Sequence, residues 1–318
     1  MDRNSIDWHG PMPAITTPFD AADAVDEKAF AANIDRLIGD GATGIISGGC
    51  TGEFWALAHD ERVRLMAVAR EAVGGRVPLI VATGAVSTEE TIALTQAAER
   101  AGADGALVLP SYFIRLTDAE ILAHFTAVCG GSGLPVMLYN IPGNAGNILS
   151  PALVEALADL DTVVAVKESS GDWNCFYETY LAVHDRLRVF CGPSSLFGVP
   201  AVQLGADGTI DCFPNMWSPG GLELYYAPAR GDVETARAVQ ALGQRLTALF
   251  TSEGRTLYPS TKAAMDMLGI PGGGRPRAPL RALDAAQRDG LERGLQALGL
   301  LDAPPVRRRA VKARANGG

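Results

Sequence analysis

The chain is poor in the residues that hold metals or covalent cross-links. Its five cysteines (Cys50, Cys129, Cys175, Cys191, Cys212) are scattered, odd in number and never spaced Cys-x-x-Cys, which argues against a disulfide framework and against a zinc site. Its four histidines (His9, His59, His124, His184) show no His-Glu-x-x-His or other ligand spacing, so a metal-free protein is expected. No stretch approaches the roughly 18 consecutive apolar residues of a membrane span. The polar start, Met1 to Trp8, lacks the apolar segment of a signal peptide, so the expected setting is the cytoplasm, with no membrane partner. Basic charge is scarce as well, with 27 Lys and Arg against 36 Asp and Glu, net −9. Five of those basic residues (Arg307, Arg308, Arg309, Lys312, Arg314) lie in the last 12 positions, which leaves 22 against 36, or −14, for the rest. Phosphate contacts need clustered Lys and Arg, so no nucleic-acid partner is expected. The basic tail, 305–318, reads either as a small anionic contact site or as a solvated terminus.

What the chain has is apolar surface. Hydrophobic residues make up 47% of 318 positions and the mean hydropathy is +0.11, enough for a large core and too much for a disordered chain. Length alone leaves one domain or two open, because α/β barrels occupy about 250 residues or more as one unit. Short apolar runs predict eight strands, at about Met12–Thr16, Gly44–Ser47, Leu79–Thr83, Ala106–Leu109, Val136–Tyr139, Val163–Lys167, Arg188–Cys191 and Thr209–Cys212. Most are continuous rather than alternating, the pattern of parallel strands covered by helices on one side and core on the other. Ser87-Thr88-Glu89-Glu90 and Thr117-Asp118-Ala119-Glu120 have capping-box spacing, and Ser150-Pro151 puts a proline in a first helical turn. Gly102 and Gly205 stand where helices return to strands.

Successive strands start about 20 to 35 residues apart, one βα unit each. Eight units in series predict an α/β fold of the (β/α)8 TIM-barrel type over residues 1–250. After about Ser218, helical patterns at Asp232–Phe250, Ser260–Leu268 and Leu283–Leu298 are expected to be the last barrel helix plus a small C-terminal helical appendix of the same domain over 251–304, in which Pro271–Pro279 is the one linker.

Chemistry is expected where strands end, because βα loops gather on one face of such a barrel. Strand two ends in Gly48-Gly49-Cys50-Thr51-Gly52-Glu53, strand five in Tyr139-Asn140-Ile141-Pro142, and strand six in Val166-Lys167-Glu168. Lys167 closes a buried apolar run, and desolvation would favour its neutral, nucleophilic amine; an ion pair with Glu168 is the alternative. Tyr139 would share its face as a proton carrier, or simply cap the core. The glycine-rich turn offers amides and a hydroxyl suited to a carboxylate, or is merely a tight connection. Gly272-Gly273-Gly274 follows no strand, so a phosphate loop is not expected there. Trp55 and Trp173 follow motifs on the same face and read either as pocket walls or as ordinary packing.

Taken together, G-x-T-G-E after strand two, Y-N-x-P after strand five and V-K-E-S-x-G after strand six resemble the dihydrodipicolinate synthase / N-acetylneuraminate lyase family of class I aldolases, over about Gly10 to Leu300. The resemblance implies an imine between Lys167 and a pyruvate-type 2-oxo acid, with Tyr139 moving protons and no cofactor beyond that covalent imine. It implies that Thr51 holds the substrate carboxylate, that Gly49, Asn144, Ser169 and Ile210 line the substrate site, and that Cys50 stands where relatives carry a relay Thr or Ser. Tyr112 matches a tyrosine that crosses a dimer interface to complete the relay, or else is a core aromatic. The family also implies a homotetramer built from tight dimers.

Three departures bear on the reaction. Cys50 is a weaker donor than a hydroxyl, so it is either part of an altered relay or a small buried apolar residue. Asn144 replaces the arginine that binds the second substrate's carboxylate in dihydrodipicolinate synthases, and cannot make a bidentate charged contact. Gly192-Pro193-Ser194-Ser195 lacks the acidic residues of sialic acid lyases. The expected activity is therefore a lyase joining or splitting a 2-oxo acid and an aldehyde, similar to 4-hydroxy-2-oxoglutarate aldolase. A Schiff-base dehydratase or deaminase, an atypical dihydrodipicolinate synthase and a barrel that binds ligand without turnover remain open alternatives.

Overall fold

The computed structural model describes residues 1–301; the basic tail, 305–318, and the last residues of the expected appendix lie outside the described residues. Eight strands make one all-parallel sheet: β1 (Gly10–Pro11), β2 (Ile45–Ser47), β3 (Leu79–Ala82), β4 (Gly105–Val108), β5 (Val136–Asn140), β6 (Val163–Glu168), β7 (Arg188–Cys191) and β8 (Gly208–Thr209). Their order in the sheet is β1-β8-β7-β6-β5-β4-β3-β2. A bridge between Ala14 and Ile46 joins the continuation of β1 to β2, closing the sheet into a (β/α)8 barrel.

Twelve helices accompany it among the described residues: α1 (Glu27–Asp40), α2 (His59–Val73), α3 (Thr88–Arg100), α4 (Asp118–Gly130), α5 (Pro142–Ala145), α6 (Pro151–Leu157), α7 (Trp173–Val183), α8 (Ser194–Leu204), α9 (Glu223–Ala229), α10 (Val233–Thr251), α11 (Leu257–Met267) and α12 (Ala285–Ala297). The short α9 packs on β1 and β8 and serves as the eighth barrel helix. The C-terminal helices therefore begin with α10 at Val233 rather than near residue 251. Among the described residues no helix is long and apolar enough to cross a membrane.

The strand pattern departs from expectation at the seam. Instead of Met12–Thr16, the first ladder covers Gly10–Pro11, because Pro11 and Pro13 have no amide to donate. The segment still runs on between its neighbours through single bonds: Met12 N to the Thr209 carbonyl at 2.9 Å, Ala14 N to Asp211 at 3.0 Å and Ile15 N to Ile46 at 3.0 Å. Strand β8 faces that interrupted partner, so its ladder stops at Thr209 rather than Cys212.

Period-two alternation sorts the strands into two apolar layers. Ile46, Ile80, Leu107, Met137, Tyr139, Ala165 and Phe190 fill the barrel interior, while Val108, Leu138, Val166 and Val189 face α4, α6 and α7. Trp8 plugs the interior cluster, 3% exposed. A side chain at Gly105 would meet its ring at 2.3 Å, so β4 must begin with glycine there. Thr117 forms the full capping box with Glu120, whereas Ser87 caps α3 alone. The Glu90 carboxylate turns instead to His59, 2.8 Å away. The segment Pro271–Pro279 contains no helix or strand but is fastened down rather than free: Gly272 accepts from Thr16 Oγ1 at 2.7 Å, and the Arg277 guanidinium grips the Glu61 carboxylate through two 2.7 Å bonds.

Candidate active site

The register of β5 against β6 sets Tyr139 beside Lys167 and Asn140 beside Glu168. Alternation sends the first pair into the barrel and the second outward. Lys167 Nζ lies 4.1 Å from the centre of the Tyr139 ring, and both residues are buried, 6% and 4% exposed. Glu168 is no ion partner for this lysine, since its carboxylate accepts Asn140 Nδ2 at 3.0 Å and Ser170 N at 2.8 Å. Burial lowers the Lys167 amine to about 8, only partly offset by Cys50 and Asp211. At pH 7 about one amine in ten is then neutral, against about one in three thousand at the ordinary value near 10.5. Burial pushes the Tyr139 phenol well above its ordinary range, and neighbouring Cys50 adds to this; Tyr139 stays protonated and available as a donor.

The glycine-rich stretch after β2 folds into two successive 3₁₀ turns, Cys50–Gly52 and Phe54–Ala56. Gly49 precedes the first in extended backbone, and Glu53 joins them in the left-handed region at φ 54°. Cys50 and Thr51 are buried in this turn, and the Tyr139 hydroxyl donates to Cys50 Sγ at 3.8 Å. Lys167, Tyr139, Cys50 and Thr51 are thus brought together at the C-terminal ends of β2, β5 and β6.

Of the two further tyrosines near Cys50, Tyr112 and Tyr258, only Tyr112 is singled out by the sequence pattern. Tyr112, half-buried, packs edge-on against Phe54 of its own chain at 5.9 Å. Its neighbour Phe113 is the residue that projects, 93% exposed and at φ 80°. Tyr258, from the first turn of α11, packs against the interior cluster that holds Cys50 and Tyr139 and meets the Trp55 ring at 5.4 Å. Burial raises the Tyr258 phenol above its ordinary range; the nearby Cys50 thiol adds to this and the Asn144 amide opposes it. Asn144 sits on the exposed short helix α5, so Tyr258 and Asn144 together form the outer rim. No local signal distinguishes Tyr258, because its neighbours lie between about one hundred and two hundred positions earlier. Trp173 does not join this rim. It stacks on Phe176 at 5.5 Å and meets Phe197 edge-on at 5.6 Å, between α7 and α8.

The floor on the far side is made by β7 and β8. Gly192 approaches so closely that a Cβ there would stand 2.6 Å from the Ile210 carbonyl, 2.9 Å from Lys167 Cε and 2.9 Å from Ser169 Oγ. Ile210 is interior, 1% exposed, and the Ser169 hydroxyl is buried without a protein partner. Asp211 carries the one carboxylate in this loop pair, and it is fully engaged: Oδ2 accepts Ser194 Oγ at 3.0 Å and Ser195 N at 2.8 Å, and Oδ1 accepts Cys212 N at 2.6 Å.

Known proteins resemble the chain over nearly its whole length. The model of the dihydrodipicolinate synthetase family matches residues 7–298. A 4-hydroxy-tetrahydrodipicolinate synthase of Halorhodospira halophila is 34% identical over 299 residues, 92% of this chain and 98% of its own. An uncharacterized DapA-like lyase of Rhizobium meliloti is 34% identical over 267 residues, 84% and 88% of the two chains. Among solved structures, YagE, a prophage protein of the dihydrodipicolinic acid synthase family from E. coli K12 in complex with pyruvate, superposes with a TM-score of 0.88 at 30% identity, over 93% of this chain and 100% of that one. A dihydrodipicolinate synthetase structure from Pseudomonas aeruginosa gives 0.85 at 33%, over 92% and 100%. The chain belongs to the dihydrodipicolinate synthetase family and is a lyase of the Schiff-base, class I aldolase type.

Proposed function

We propose that the chain makes or breaks a carbon–carbon bond between pyruvate, or a closely related 2-oxo acid, and an aldehyde, in the manner of a 4-hydroxy-2-oxoglutarate aldolase. The observation that carries this reading is the Lys167 amine, buried, lowered to about 8 and set 4.1 Å from the Tyr139 ring. The neutral amine attacks C2 of the 2-oxo acid and the carbonyl oxygen takes up a proton, giving a carbinolamine. Tyr139 returns a proton to the departing hydroxyl, which leaves as water, and the imine remains on Nζ. Loss of a proton from C3 gives an enamine; its C3 attacks the aldehyde carbonyl, whose oxygen is protonated, and water then hydrolyses the imine to free Lys167. Cleavage runs the same steps backwards. The iminium nitrogen is the electron sink, so no further cofactor is required.

The substrate carboxylate is assigned to the Gly49–Thr51 turn. The outer rim of Asn144 and Tyr258 offers neutral hydrogen-bonding groups in place of a guanidinium, so a carboxylate on the aldehyde partner, such as that of the glyoxylate unit of 4-hydroxy-2-oxoglutarate, would be held by neutral hydrogen bonds rather than by an ion pair. Support for the 2-oxo acid comes from the YagE complex with pyruvate. A homotetramer belongs to the same proposal. Its support is the apolar knob of Phe113 and Ile114, 93% and 49% exposed, held by Asn147, which donates to the Ser111 and Ile114 carbonyls. Sedimentation of the wild type beside Phe113→Asp tests that part.

The main test is borohydride reduction in the presence of pyruvate, followed by peptide mass spectrometry. A reduced pyruvyl adduct on Lys167 is expected, and no adduct there sinks the imine. A panel of 4-hydroxy-2-oxo acids then separates aldol cleavage, which releases pyruvate or a related 2-oxo acid, from dehydration, which leaves the skeleton intact.

A further inference from the structure

Glu53 ends the G-x-T-G-E motif, yet the partners of its carboxylate, Lys262 and Arg277, lie outside the reacting constellation. It is fully buried, and its backbone belongs to both 3₁₀ turns: its amide donates to the Cys50 carbonyl at 3.1 Å, and its own carbonyl accepts from Ala56 at 2.8 Å. A residue with a Cβ is strained in the left-handed region unless its surroundings over-determine it. Here they do, and they come from the other end of the chain. The Glu53 carboxylate forms a close ion pair with Lys262 of α11 and accepts the Arg277 amide at 3.0 Å. Lys262 in turn donates to the Arg275 carbonyl at 3.2 Å and lies 4.3 Å from the centre of the Phe19 ring. On the opposite side, Thr17 Oγ1 donates to the Gly52 carbonyl at 2.8 Å. The turn that presents Cys50 and Thr51 is thus anchored from the segment that follows β1, at Thr17, and from the C-terminal region, through Lys262 of α11 and the strap at Arg277, with Glu53 as the joint.

We propose that Glu53 is a positioning residue for 2-oxo acid binding: paired with Lys262, and tied to the strap at Arg277, it fixes the Cys50–Gly52 turn so that Thr51 meets the substrate carboxylate. This rests on the imine reading of Lys167 given above. A turn allowed to relax by even a fraction of an ångström weakens a carboxylate contact that is made alike in the ground and transition states. The loss falls on binding and leaves the chemical step at Lys167 and Tyr139 in place.

A purely structural role is separated by removing both charges at once. Breaking one half of a buried pair leaves an uncompensated charge and destabilises the protein, whereas replacing both by apolar groups of similar size is often neutral. In Glu53→Leu/Lys262→Met the melting temperature is expected to stay near the wild-type value. Borohydride should still trap pyruvate on Lys167, but with a half-saturating concentration raised about tenfold or more and kcat within about threefold. A wild-type half-saturation in this folded double variant overturns the proposal. If it does not fold, Glu53→Gln, which retains an acceptor for the Arg277 amide, should raise half-saturation about threefold or more with the maximal adduct unchanged; no change there overturns it equally. Lys262→Arg, which keeps a cation at the pair, should recover most of the affinity lost in Lys262→Met. An adduct missing from the wild-type protein is a different result, overturning the imine itself and this proposal with it.

Discussion

The ends of β5 and β6 and the C-terminal helices supply the same site in different ways. The strands place Tyr139 and Lys167 as register partners, so chemistry there is a property of a ladder whose every other residue is core. Helix α11 supplies Tyr258 and Lys262 one turn apart, and each finds its partner far back in the chain, at Cys50 and at Glu53. On the proposed reading, strand pairing sets the reactive group and long-range packing fixes the turn that would receive the substrate. The two regions should therefore fail differently when altered.

The sharpest contrast is expected at the amine. Lys167→Ala should lower turnover by about a thousandfold or more and abolish the reduced adduct. It should not lower the melting temperature, because a desolvated cation is removed from the interior. Retained activity measured by pyruvate release would break the assignment of chemistry to the strands. At the rim, Tyr258→Phe should slow turnover by about three- to tenfold with the adduct still formed. An effect as large as that of Lys167→Ala would erase the distinction between the regions.

The pH dependence sharpens the same contrast without mutation. With the amine at about 8, the initial rate of imine formation should climb roughly tenfold from pH 6 to pH 7, bend near pH 8 and level off by about pH 9. A lysine at its ordinary value would keep climbing to about pH 10. The stability linkage has the matching sign. The unfolded chain holds the Lys167 proton up to about 10.5 and the folded chain only to about 8, so this residue's penalty is constant below pH 8 and is relieved as pH rises between the two. The smallest expected effect is away from the site. Thr117→Ala removes the capping box of α4 and should cost about 1 kcal/mol, a melting shift of about 2 °C in a chain of this size, with kinetics untouched.

Much of the barrel was legible because continuous apolar runs and cap signals are local. Val163–Lys167, read from sequence, differs from β6 by one residue, and Arg188–Cys191 coincides with β7. The seam was not legible. Pro11 and Pro13 sit inside an apolar run that reads as a strand, and the missing amides matter only once its neighbours are known. The short helix α9 likewise hides in a stretch with Pro228 and little periodicity. For the site, Lys167, Tyr139 and the Cys50–Thr51 turn each carry a motif. Tyr258 and Lys262 carry none, though α11 holds a signal in retrospect: from Pro259 to Met265 every residue is buried, polar ones included, which no surface helix does. A lysine in such a run needs a carboxylate, and Glu53 is where it finds one.

That anchorage spans about two-thirds of the chain, since Arg277 reaches Glu53 across 224 positions. Synthesis proceeds from the N-terminus, and domains acquire structure as they emerge. All eight strands, with Lys167 and Tyr139, are made before Lys262 exists. Lys167 and Tyr139 are therefore synthesised before the helices that anchor the Cys50–Gly52 turn, but a single domain folds as a unit, so on the proposed reading the amine and the turn become competent together. A chain cut short before α11 would keep Lys167 and Tyr139 but lose the Lys262 anchor of the turn that, on the proposed reading, receives the substrate carboxylate.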